Sequence, residues 1–317
     1  MESGSTREPT QYASQQASSR RPTQTHPRLP ERSGVSLSSL PGLDYTSRAT
    51  NWLVLQTGID VADAIVLATA ETDVPFPTIS EALSAWIEQM RDVLVRDLID
   101  QGGEVDLWVH KGESERRVAY PREWERSLAA VAVSEATGIS LGVAAPFDAF
   151  RGSKTFRLWV TPDPGVPKVT RIKFFASPRA LLDEVLPPPA VWGQALQDGA
   201  VAINAVHGYL TVARAAIVGT AYEHRHLRSP VVGVREANAH VRGLFWGTVL
   251  SSRHIVALGG LRRVLEEAPV ERVVDLSRSA EKRVYLELTD DLFAVTDTDE
   301  ERLCAYLTPI LPVADSR

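Results

Sequence analysis

A chain of 317 residues, 44% hydrophobic and 23% charged, holds enough apolar material for a sizeable core, and its net charge of −6 argues against the basic stripe of a nucleic-acid binder. One cysteine, Cys304, excludes an intramolecular disulfide and a Cys-based zinc site. No run approaches the ~18 consecutive apolar residues of a membrane span, and the N-terminus lacks the apolar core of a secretory signal, so the cytoplasm is the expected compartment.

In chain order, residues 1–42 are rich in Ser, Thr, Gln, Arg and Pro and show no apolar period. They cannot bury enough surface to offset their ordering entropy and are expected as a disordered tail. The first fifty residues hold six Arg against four acidic residues, a net +2, which leaves −8 on the other 267. A body is expected over 43–317, divisible into halves at about 43–176 and 177–317. WLVLQTG (52–58) and AIVLATAE (64–71) read as short buried segments or strands. TISEALSAWIEQMRDVLVRDLID (78–100) places Ile79, Leu83, Trp86, Ile87, Met90, Leu94 and Leu98 on one helical face. Thr78 and Glu81 have capping-box spacing, and Gly102-Gly103 supplies the stop.

Strand signals follow at 104–110 and 138–146, separated by a helical stretch at 124–136. KTFRLWVTPDPG (154–165) and PKVTRIKFFASP (167–178) predict a hairpin, turned by Asp163-Pro164-Gly165 and carrying one slip in its alternation. Helices are expected at 177–186, with Ser177 as N-cap, and from 190, after the Pro187-Pro188-Pro189 break. Strands are expected at 271–277 and 282–289. A last helix is expected at 298–312, opened by Thr298 and Glu301. No strict βαβ rhythm appears, which predicts an α+β fold with a mixed or antiparallel sheet packed by helices.

Chemistry is sparse in the sequence. There is no nucleophile elbow and no phosphate-cradling P-loop, and Cys304 reads as a small buried hydrophobe. Five of the seven histidines fall at 207, 224, 226, 240 and 254. Glu223, His224, His226 and His240 are candidate ligands or bases for a metal-assisted hydrolase, although H-x-H alone is a weak pattern and the expectation is no metal and no cofactor. Arg242, Arg253, Arg262 and Arg263 are a candidate basic patch beside Gly259-Gly260. The reading preferred for Asn238–Pro269 is a packed turn: Ser251 or Ser252 caps a helix burying Ile255, Val256 and Leu258, Gly259 supplies a left-handed position, and a second helix buries Leu261, Val264 and Leu265.

The segments HGYLTVARA (207–215), AYE (221–223), HVRGLFWGTVLSSRHIVALGGLRRV (240–264) and YLELTDD (285–291) follow one another in an order that resembles the bacterial type VI immunity family. The matching positions are His207, Gly208, Tyr209, Trp246, Leu250, Leu258, Gly259 and Gly260, and the resemblance covers about 200–312. The first hundred residues lie outside it. What the resemblance implies is a small cytoplasmic protein that binds a cognate protein toxin and blocks it without catalysis, with neither nucleic acid nor membrane as partner. Trp246, Tyr222 and Glu223 are its candidate contact residues, aromatic and charged groups being typical anchors. The alternatives are the hydrolase above and an interaction component of a larger assembly that docks through the tail.

Overall fold

The computed structural model describes residues 64–112, 114–145, 155–163, 166–214, 220, 223, 229–278 and 281–312. The segment 52–58 lies outside them, as do Tyr222, His224 and His226. The strands are β1 (Ala64–Thr72), β2 (Glu104–Lys111), β3 (Ser114–Val118), β4 (Gly138–Ala144), β5 (Phe156–Asp163), β6 (Val166–Ala176), β7 (His207–Arg214), β8 (Gly247–Ser251), β9 (Arg272–Asp275) and β10 (Arg283–Glu287). They form one sheet in the order β3-β2-β4-β5-β6-β1-β7-β8-β10-β9, antiparallel at every pairing. The helices are α1 (Phe76–Met90), α2 (Arg96–Asp100), α3 (Trp124–Ala132), α4 (Pro178–Leu182), α5 (Pro189–Ala202), α6 (Pro230–Glu236), α7 (Ser252–Ala257), α8 (Leu261–Glu267) and α9 (Asp297–Leu307). The fold is therefore α+β. No helix among the described residues is long and apolar enough to cross a membrane.

Alternation along the strands separates two faces. On one, Val66, Ala68 and Ala70 of β1 join Ile172 and Phe174 of β6, Phe156, Leu158 and Val160 of β5, and Ile139, Leu141 and Val143 of β4, all buried. Helices α1, α3 and α5 cover this face. The alanines of β1 leave room for α5, whose Trp192 ring lies 5.8 Å from Phe156 and 5.4 Å from Phe174. Trp86 of α1 donates from Nε1 to the Ala195 carbonyl of α5 at 3.0 Å. Its ring lies flat against Gly199, where a Cβ would come within 2.4 Å of it. That close approach explains a glycine inside a helix.

Several local expectations need correction. The capping box at Thr78 and Glu81 does not form. Pro75, Phe76 and Pro77 start the helix two residues earlier, with proline taking the place of a side-chain cap. Between α1 and α2 the chain makes a π-helical turn, Arg91–Val95, and the buried stripe still runs through to Leu98. Ser177 precedes α4 but makes no capping bond. In α9 the box is Thr296 with Asp299, where Thr296 Oγ1 accepts from the Asp299 amide at 3.2 Å. The slip in the β5–β6 hairpin is a register shift between Pro162 and Asp163. In the 238–269 segment, Ser251 caps α7 and Gly259 adopts φ +97°. Ile255, Leu258 and Val264 point inward, but Val256 is 75% and Leu265 38% exposed, because helices of six and seven residues have too few turns to bury a wide stripe.

Candidate functional site

The sheet's second face carries the polar groups. Cross-strand register sets Glu71 of β1 opposite Arg171 of β6 and His207 of β7, and Thr69 opposite Lys173 and Tyr209. The chain from Thr220 to Phe245, so far as it is described, lies over this end of the sheet and lowers Arg242 into it. Arg242 donates from Nη1 to Glu71 Oε1 at 2.5 Å, and its Nε and Nη2 form a fork on Glu223 at 2.8 and 3.0 Å. Arg171 lies 3.2 Å from the same Glu71 oxygen and reaches Asp163 at 2.8 Å. The result is an alternating chain, Glu223–Arg242–Glu71–Arg171–Asp163, in which Glu71, Glu223 and Arg242 are buried. A buried charge persists only when paired and hydrogen-bonded, and here each arginine bridges two carboxylates. Burial alone would lower the Arg242 pKa, but Glu71, Tyr209 and Glu223 more than offset it, and the guanidinium is held well above its ordinary value.

Local chemistry fixes the outer end of this chain. Glu223 accepts from the Thr220 amide at 2.7 Å, and Thr220 Oγ1 donates to the Arg242 carbonyl at 2.7 Å. Helix α6 passes so close that a Cβ on Gly233 would stand 2.0 Å from Glu223 Oε1 and 3.3 Å from Arg242 Nε. Gly233→Ala is therefore expected to force the fork open and cost about 1–3 kcal/mol. Val232→Ala, on the exposed side of the same helix, should stay within about 0.5 kcal/mol. Equal urea midpoints for the two variants would contradict this close packing.

Tyr209 stacks on Phe245 with ring centroids 4.1 Å apart and planes at 13°, and the Arg242 guanidinium lies 5.9 Å from its ring. His207 donates from Nδ1 to the Val249 carbonyl at 3.2 Å, which leaves Nε2 as the acceptor facing the Arg242 amide at 3.5 Å. His254, 6.0 Å away ring to ring, accepts from the Ser251 amide. Burial, then the Arg242 charge, pushes His207 down to about 3; burial, then His207 and His240, does the same to His254. The unfolded chain thus takes up protons below pH 6.5 that the folded chain refuses. Stability is expected to be full above pH 6.5 and to fall as pH drops toward 3, at up to about 1.4 kcal/mol per pH unit for each histidine. Urea denaturation at successive pH values checks this, a flat profile from 7 to 5 being the contrary result.

The predicted residues are placed as follows. His207, Gly208 and Tyr209 lie on β7, where Gly208 packs against Val249. Trp246 is 3% exposed, and its Nε1 donates to the Thr289 carbonyl at 3.0 Å. Glu223 is spent on Arg242 and Thr220. Trp246 and Glu223 are thus both buried. Leu258, Gly259 and Gly260 form the turn between α7 and α8. The four arginines of the candidate basic patch do not converge: Arg242 is buried, Arg253 donates to Asn238, and Arg262 and Arg263 pair with Glu266 and Glu267. Among the described residues no group of three or more His, Cys, Asp or Glu side chains is placed to hold a metal ion. Glu71, Arg171 and Asp163 were not anticipated from the sequence. The one signal was a carboxylate ending the apolar run AIVLATAE.

Toward β5, β4 and β2 the same sheet face opens. Trp159 is 41% exposed and meets Phe175 edge to face at 5.4 Å, while Trp108, Ser140 and Arg157 are half-buried around them. On the opposite side, Phe156, Leu158 and Val160 of β5, Ile139, Leu141 and Val143 of β4 and Leu107 of β2 are buried.

No protein-family model matches the chain, and no curated protein sequence does. Among solved structures, the Pseudomonas aeruginosa T6SS protein PA0821 is similar, with a TM-score of 0.52 at 11% identity, over 78% of this chain and 73% of that one. At that identity the likeness is one of fold.

Proposed function

We propose that this chain is a non-catalytic binding protein of a type VI secretion context, acting in the cytoplasm as an immunity protein that holds and neutralises a cognate protein toxin. The observation that carries the reading is the contrast between the two ends of one sheet face. At one end the ionisable groups neutralise one another and are closed over. At the other, an exposed Trp159 against a half-buried Phe175, with Arg157 beside them, has the composition of a protein-binding hot spot. The fold likeness to a T6SS protein and the resemblance over 200–312 agree with it.

The test is capture with the tagged full-length chain from its native cells. Each stoichiometric partner is then produced alone and together with the chain. Growth arrest by the partner alone and recovery on co-production is the expected result. A partner that is harmless alone, or whose toxicity persists beside the chain, overturns the immunity reading.

A further inference from the structure

On the open end of the sheet, register places Trp159 opposite Lys173 and Arg157 opposite Phe175, so two aromatic and two cationic side chains alternate over β5 and β6. The neighbouring cations are already compensated: Arg171 by Glu71 and Asp163, Arg242 by Glu71 and Glu223, and Arg117 by Asp106. Among the described residues, neither Arg157 nor Lys173 has a carboxylate within ion-pair distance. Lys173 reports the imbalance. Burial, then the charges of Arg171 and Arg242, depress its pKa to about 8, more than Glu71 and Asp163 restore it. What this patch lacks is negative charge next to something apolar.

Resting on the binding-protein reading above, we infer that the Trp159 face docks an acidic segment of a partner protein, an apolar side chain seated on Trp159 and Phe175 and carboxylates meeting Arg157 and Lys173. Charge selects this occupant over the others. The chain's own first fifty residues carry a net charge of the same sign as the patch. A second copy laid face to face would set Arg157 and Lys173 against their own kind. A nucleic acid would bring a continuous run of phosphates across Glu104, Asp106 and Glu115, which stand on the same face of β2 and β3. A short segment with one or two carboxylates meets the cations without crossing those acids.

The test is selection of a random peptide library displayed on phage against the full chain, with Trp159→Ser and Arg157→Glu as counter-targets. Enriched peptides should combine Asp or Glu with an apolar residue. Synthetic copies should lose affinity about tenfold or more on each variant. Both variants should keep the wild-type melting temperature, since both sites reach solvent. The inference is overturned by no enrichment, by enriched peptides without acidic bias, by peptides that bind both variants as well as the wild type, or by binding that poly(dT) displaces. The growth test separates this inference from the reading it rests on. Toxin neutralisation that survives both substitutions sinks the docking face and leaves immunity standing. Acidic-peptide binding that depends on Trp159, in a chain that neutralises nothing, does the reverse.

Discussion

Arg242→Met is expected to destabilise the fold by about 3–5 kcal/mol, the range for removing one partner of a buried charge network. The substitution leaves Glu71 and Glu223 buried without their shared cation, and among the described residues Glu71 Oε2 already lacks a hydrogen-bond partner. Each carboxylate must then take up a proton or draw in water, and the cover over the sheet loses its deepest attachment. For a domain of this size the loss corresponds to a fall in melting temperature of roughly 6–20 °C. Adding Glu71→Met and Glu223→Leu to Arg242→Met should restore much of it, because apolar replacement of the three most buried members removes their desolvation cost as well as their attraction and leaves Arg171 paired with Asp163. A triple variant no more stable than the single one would show that the network contributes net attraction. An Arg242→Met protein as stable as wild type would mean that water reaches these carboxylates.

Trp192→Ala is the second large effect, at about 3–5 kcal/mol. Trp192 is fully buried between Phe156 and Phe174, where α5 crosses the centre of the sheet. Truncation leaves a cavity that the flanking aromatics, held on rigid strands, fill only in part. Trp192→Phe keeps most of the volume and should cost less than half as much. Guanidinium denaturation of the two variants decides it. Similar losses would mean that the site collapses freely and that α5 is not rigidly seated.

What was legible in the sequence followed from periodicity. The stripe from Ile79 to Leu98, the alternation on β5 and β6 and the turn at Gly259 are local signals, each read over a handful of residues. Helix starts were less legible. Thr78–Glu81 and Thr298–Glu301 have the spacing of a box, but prolines start the first helix earlier without a side-chain cap, and Thr296 with Asp299 caps the last helix two residues before the expected pair. The ion network was not legible, because Arg242 and Glu71 stand 171 positions apart and meet only once β1 is paired with both β6 and β7. Trp246 shows the same limit. A tryptophan between two glycines reads as core by default and as a contact residue by the alternative, and the Thr289 carbonyl that its Nε1 meets is delivered from beyond β10. Trp159 was read correctly as part of a strand, but which face it occupies depends on register.

The π-helical turn at Arg91–Val95 has a consequence for helical phase. An α-helix advances about 100° per residue, so two successive four-residue steps, Met90 to Leu94 to Leu98, would carry an apolar stripe about 80° around the rod. A π turn winds less per residue and takes up that drift, which is why Leu94, Val95 and Leu98 are still buried after Met90. The helical stretch behaves as two rods joined with a fixed rotational offset. Lengthening or shortening it by one residue between Met90 and Arg96 would leave Ile79 to Met90 in place and swing Leu98 from the core toward solvent.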